Sequence, residues 1–216
     1  MPELSIQVAG ARVVPYAAVP TLAFQLQIGN AAPDEEIHTI ALRCQVQIEV
    51  TRRSYAPREQ ARLLDLFGRP ERWGQTLRNL LWTHASVIVP GFAERSTVAD
   101  MNIPCTFDFN VAATKYFEGL SAGEIPLLML FNGTIFYASP ESPLQVAPIS
   151  WEQEARCKLP VLMWREMMDI YYPNSVWINL HRDAFERLYQ YKIEHGIPTW
   201  EQALQHVLAS EAGVKT

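Results

Sequence analysis

Active sites and metal centres are built from cysteine, histidine and carboxylate side chains, and in this 216-residue sequence those groups are scattered. Cys44, Cys105 and Cys157 lie 61 and 52 residues apart, which matches no metal-ligand spacing. The histidines at 38, 84, 181, 195 and 206 form no cluster with cysteines or carboxylates, and His195 reads as a dipole-compensating residue at a helix C-terminus. There is no glycine-rich phosphate loop, no serine elbow and no histidine pair on a helix. Pro104-Cys105-Thr106-Phe107-Asp108 is the one local pattern that suggests a thiol nucleophile. Cys105 falls on the apolar parity of its strand, however, which makes it a buried, inert thiol. The sequence therefore implies no catalytic residue, no cofactor and no metal. The alternative is an enzyme or small-ligand module whose groups converge from distant positions on a cleft, and dependence of activity on Cys105, His84 or Asp108 would reveal it.

Residues suited to holding another chain are more concentrated. Trp164, Met167, Met168, Tyr171, Tyr172, Trp177 and Ile178 fall within fifteen residues, and half of the six methionines lie between 163 and 168. Packed on a sheet, these side chains would be core; left open, methionine and aromatics make an adaptable surface that accepts varied partners. Met163, Met167 and Ile170 recur on one helical face, and Trp164, Met168 and Tyr172 on another. One face can then pack while Trp164, Met168 and Tyr172 line a groove, with Pro173 breaking the helix and presenting Trp177 beside it. Trp73, Trp82 and Trp151 are isolated and read as core or rim residues. A second group is basic. Between 52 and 78, seven arginines face three acidic residues, a net +4 in a chain of −5. Arg52, Arg53, Arg58, Arg62, Arg69 and Arg72 form either a solvated face with internal ion pairs or a docking surface for an acidic partner or subunit.

The elements that must position these groups begin with strands. Leu22, Phe24, Leu26 and Ile28 alternate with Ala23, Gln25 and Gln27; Ile40, Leu42, Cys44, Val46, Ile48 and Val50 alternate with polar neighbours. A period of two held this long marks a strand with one wet face, as antiparallel sheets have. Gly29-Asn30 and Pro33-Asp34 signal the turns. Pro57 opens a short helix running to Gly68. Strand character returns at Val87–Val89 and over Ala99–Val111, where Pro104 implies an edge or a kink, and Ala112–Leu120 suits a short helix. Asn132-Gly133 between apolar runs is either a hairpin turn or a bulge in one long strand. Residues 139–148 read as a loop or edge, and everything from Leu159 onward as helix. Asp183 with Glu186 suggests a capping box, Gly196 a C-terminal stop, and Thr199 with Gln202 the cap of a last helix burying Leu204, Val207 and Leu208.

This order resembles the SecB export-chaperone family. The resemblance covers roughly Leu4–Val50 and Ile125–Ala209. It rests on a strand set at Ser5–Val14, Leu22–Ile28 and Ile37–Val50, on Gly133-Thr134-Ile135-Phe136, on Tyr171-Tyr172-Pro173-Asn174 before the long helix, and on the closing helix after Gly196-Ile197-Pro198. It implies one α+β domain over 1–216: a twisted antiparallel sheet with C-terminal helices packed on it, and 51–124 as a mixed strand and helix insertion. It also implies a homo-oligomer. The arginine-rich insertion has no counterpart in the export chaperone. The whole chain further resembles an uncharacterised bacterial family associated with nickel-iron hydrogenase gene clusters, which implies a hydrogenase subunit or maturation intermediate as client.

Composition bounds the rest. An apolar fraction of 49% with 19% charged residues is that of a folded chain. Net charge of −5 argues against non-specific binding of nucleic acid or an anionic membrane. Met1-Pro2-Glu3-Leu4 shows no signal-peptide pattern, and the apolar run Ile125–Phe131 is far short of a membrane span. Three scattered cysteines fit reduced thiols in the cytoplasm. The expected function is a cytoplasmic, non-enzymatic chaperone-like or assembly factor that binds an apolar segment of a client protein.

Overall fold

The computed structural model describes residues 2–32, 35–140 and 142–213. The turn expected at Pro33-Asp34 lies outside the described residues. The chain divides into two compact units, 1–175 and 176–216.

The first unit is built on two antiparallel sheets. β1 (Leu4–Val13), β2 (Thr21–Asn30) and β5 (Ser96–Pro104) form one, in the order β1-β2-β5. β4 (Leu80–Phe92), β3 (Glu36–Ile48), β6 (Glu124–Ser139) and β7 (Ser142–Pro148) form the other, in the order β4-β3-β6-β7. β8 (Glu154–Pro160) pairs with the first half of β6. The protein is thus α+β, with antiparallel sheets. The alternation works as read: Ile40, Leu42, Cys44, Val46 and Ile48 are buried, while Arg43 is exposed and Gln45 and Gln47 are half-buried. The inner faces of both sheets join in one core, in which Phe24 of β2 meets Trp82 of β4 edge-on at 6.1 Å.

Asn132-Gly133 makes no hairpin. Both residues lie inside β6, a single strand of 16 residues, opposite Arg43 and Leu42 of β3. Gly133 has φ +146°, and a Cβ there would sit 2.1 Å from the carbonyl oxygen of Ala41. Glycine is demanded by close strand approach rather than by a turn.

Residues 51–124 carry the short helices α1 (Pro57–Arg62), α2 (Leu64–Phe67) and α3 (Trp73–Thr76), and then α4 (Val111–Gly119). They also supply β4 to one sheet and β5 to the other, so this segment is woven through the core. Pro57 occupies the first turn of α1, and Asn110 caps α4 by accepting the Ala113 N–H at 3.0 Å. α5 (Val161–Tyr171) follows β8 directly.

The second unit holds α6 (Arg182–Glu194) and α7 (Trp200–Gly213). Gly196, at φ +61°, ends α6 as read, and the Ile197 N–H reaches back to the Lys192 carbonyl at 2.9 Å. Thr199 caps α7 by accepting the Gln202 N–H at 3.2 Å. Two readings are corrected. The capping box at Asp183 does not form: α6 starts two residues earlier, after His181, with no side-chain cap, and Asp183 lies in the first turn, where its charge complements the helix dipole. Leu204 and Leu208 are exposed and Val207 is half-buried, whereas Ala203 is fully buried.

Candidate protein-binding surfaces

α5 settles the Met and aromatic cluster first. Val161, Trp164, Met167 and Met168 are all buried, and Tyr171 and Tyr172 are half-buried. Trp164 packs on Phe117 with ring centres 4.4 Å apart and on Trp82 at 6.4 Å. Tyr172 leans on Phe107 at 4.7 Å, and the Tyr171 hydroxyl donates to the Ala17 carbonyl at 2.9 Å. The expected exposed face of Trp164, Met168 and Tyr172 is therefore corrected: two of the three are core. The spacing explains why. Positions 164, 167, 168 and 171 form one i, i+3, i+4, i+7 stripe, so the buried face cuts across the two supposed ones and takes Met167 from one and Trp164 and Met168 from the other. Ile170, assigned to the packing face, is exposed instead.

Two of the three thiols are committed to the interior: Cys44 and Cys105 are buried, and Cys157 is half-buried. Cys105 is buried and donates to the Ile103 carbonyl at 3.2 Å. Burial pushes Cys44, Cys105 and Cys157 each up to about 12, with the neighbouring Cys157 adding to the shift at Cys44. At neutral pH none supplies a thiolate nucleophile. His84 and Asp108 are exposed. Among the described residues, no group of three or more histidines, cysteines or carboxylates is placed to hold a metal ion.

The arginines separate into different roles. Arg53 is an internal staple, which corrects its place in a docking surface. Its guanidinium, 10% exposed, donates to Glu59 at 2.8 Å, to the Ala122 carbonyl at 2.6 Å and to the Glu124 carbonyl at 2.7 Å. Glu59 also accepts the Ser121 N–H, the Ser121 hydroxyl and the Ala56 N–H. Burial alone would raise the Glu59 carboxyl, but these hydrogen bonds and the Arg53 charge outweigh it and hold the group below its ordinary value. Arg52 is exposed beside Glu49, 3.4 Å away. Arg58, Arg62, Arg69 and Arg72 are exposed.

The apolar surface that the sequence placed on α5 occurs in the second unit. Val176, Ile178 and Leu180 are exposed at 86%, 62% and 43%, and Trp177 at 38%. On α6, Phe185, Tyr189 and Ile193 recur at four-residue spacing and are all exposed, and the helix has no buried residue. The Phe185 and Tyr189 rings stack at 6.1 Å and both touch Trp200 of α7, over which Lys192 Nζ lies at 5.5 Å. Of the residues first nominated, Trp177 belongs to this surface. Ile178 was grouped with it, but Val176 and Leu180 were missed, although Val176-Trp177-Ile178-Asn179-Leu180 is a visible signal: a mostly apolar run past the Pro173 break that lies in neither strand nor helix.

A family model, the family of unknown function DUF6084, matches residues 1–216. The chain belongs to this family. No curated protein matches it. Among solved structures, this DUF6084 member is similar to one assigned as a late embryogenesis abundant protein, at 12% identity and TM-score 0.33, over 76% of this chain and 75% of that one. It is also similar to one assigned as the ApaA protein of Bordetella pertussis, at 12% identity and TM-score 0.27, over 73% of this chain and 93% of that one. Scores this low carry no argument about function. Among the described residues, no helix is long and apolar enough to cross a membrane.

Proposed function

We propose that this protein is a non-enzymatic, chaperone-like or assembly factor whose C-terminal residues bind an apolar segment of a client protein. The observation that carries the reading is the exposed apolar surface running from Val176 through Ile193. Monomeric proteins rarely leave contiguous apolar patches of this kind uncovered unless something binds there. The residue types suit a holding role: aromatic and branched aliphatic side chains bury large area without demanding polar partners from the client. Affinity would come from that burial, at roughly 25 cal/mol per Å² before ordering costs. The SecB-like order of elements supports the same class of function, and the likeness to a hydrogenase-associated family makes a nickel-iron hydrogenase component the proposed client. Three separate free thiols are consistent with a cytoplasmic site of action. Self-association is proposed as well, since the same uncovered surface can meet its counterpart in a second copy.

The test is suppression of aggregation of a chemically unfolded substrate protein by the full chain and by a variant carrying Ile178→Ser, Tyr189→Ser and Ile193→Ser. These side chains are exposed, so melting temperature should change little while suppression falls several-fold. No suppression by the wild type, or full suppression by the variant, would overturn the proposal.

A further inference from the structure

Residues 55–78 are held on α4 by rings rather than by charge. Tyr55 meets Trp73 edge-on at 5.2 Å and Tyr116 of α4 at 6.3 Å. Phe67 meets Trp73 at 5.9 Å and Tyr116 at 6.2 Å. Trp73 Nε1 donates to the Gly68 carbonyl at 2.9 Å, and the Thr76 hydroxyl donates to the Phe67 carbonyl at 2.8 Å. The Tyr55–Trp73 contact ties the run before α1 to the run after the turn Pro70–Arg72. Arg58 and Arg72 leave the backbone within three residues of that contact.

The carboxylates of this segment are largely engaged. Glu59 is held by Arg53 at 2.8 Å and Asp65 by Lys115 at 3.6 Å. Arg62 lines a cavity with Asp65, Lys115 and Glu118, where the two signs balance, so Arg62 takes no part in the proposal. Four guanidiniums then remain, those of Arg58, Arg69, Arg72 and Arg78, against the single carboxylate of Glu71. All five groups are exposed, and none forms an ion pair among the described residues. Arg78 donates to the Leu77 carbonyl at 2.8 Å. The guanidiniums of Arg58, Arg69 and Arg72 have no hydrogen-bond partner among the described residues.

A helical face that stabilises itself sets each arginine three or four residues from a carboxylate. Here the spacing is the reverse. Arg69 and Arg72 flank a turn of 3-10 geometry, in which side chains three apart align, and the Arg72 N–H donates to the Arg69 carbonyl at 3.0 Å. Like charges held in register repel each other, and an external anion relieves that repulsion.

We infer that Arg58, Arg69 and Arg72 dock an acidic segment of a partner protein. Guanidinium groups take carboxylates through paired N–H donors, so these side chains on a ring-fixed segment suit a short run of Asp and Glu. A long polyanion such as nucleic acid is disfavoured, because its further phosphates would meet the remainder of a chain whose net charge is −5. The inference goes beyond the apolar C-terminal surface and uses none of its residues.

The probe is a labelled peptide of roughly eight residues alternating glutamate and glycine, about 27 Å long when extended, followed by fluorescence anisotropy with the full chain. Binding should weaken as salt rises, and the matching glutamine–glycine peptide should not bind. Those two readouts need no protein variant. Arg69→Glu with Arg72→Glu should weaken binding by about tenfold or more, and adding Arg58→Glu should weaken it further. Arg43→Glu with Arg95→Glu makes the same change in net charge at exposed positions outside the segment, and should leave binding within about twofold. Circular dichroism checks that each variant keeps its fold. No binding of the glutamate peptide, equal binding of the glutamine peptide, equal loss in the two double variants, or tighter binding of a single-stranded oligonucleotide of the same charge would each overturn the proposal.

Discussion

Glu59 shows how one side chain can decide what a charged cluster is for. Seven arginines in 27 residues read either as a solvated face or as a docking surface, and the exposure of Arg58, Arg62, Arg69 and Arg72 fits both. Arg53, next to Arg52 in the chain, turns inward because Glu59, Ala122 and Glu124 accept from its two Nη groups there. A buried charge that loses its partner is costly. Glu59→Gln should therefore destabilise the protein by about 3 kcal/mol near neutral pH, measured by urea unfolding. The pH dependence has a definite sign. The folded carboxyl sits below its ordinary value of 4.5, so its stabilisation is present above that pH. It is lost as pH falls from there through the folded-state value, because the unfolded chain takes up the proton first. The gap between wild type and variant should be constant from pH 7 to pH 5 and shrink below that window. A gap that widens in acid would contradict this role.

At the scale of elements, the alternation in β2 and β3, the Gly196 stop of α6 and the Thr199 cap of α7 act locally, and they were legible for that reason. Gly133 was visible as a special position, but the sequence pointed first to a hairpin and only second to one long strand, because its reason lies across the sheet in Ala41. Gly133→Ala should cost about 2 kcal/mol or more, from an unfavourable φ and a Cβ driven into that carbonyl. An unchanged denaturation midpoint would mean that the strands part more easily than the geometry allows. β8 escaped notice although Glu154-Ala155-Arg156-Cys157-Lys158-Leu159 alternates perfectly; alanine and cysteine are weak markers of an inward face. α5 was recognised as a helix, but its orientation was misjudged, since a stripe four residues wide was divided into two faces. Alternation tells which face of a strand is buried, never which sheet will cover it. The packing of two sheets through Phe24, Trp82, Phe117 and Trp164 joins residues far apart in the chain, and local pattern does not encode such pairs.

For the whole molecule, the two units differ in kind. The first has a continuous apolar core drawn from both sheets, α4 and α5. In the second, α6 buries none of its residues, and Phe185, Tyr189 and Ile193 along it are exposed. Binding of an apolar segment through this second unit is the central claim, and site-specific photo-crosslinking tests it most directly. A photoreactive residue is placed at Ile178 or Tyr189, and for comparison at Ile88 or Val146, which are exposed on strands of the second sheet. With an unfolded client present, crosslinks should form from 178 and 189 and map to apolar stretches of the client, while 88 and 146 stay unlinked. Crosslinks arising equally from the sheet positions, or none from 178 and 189, would contradict the account.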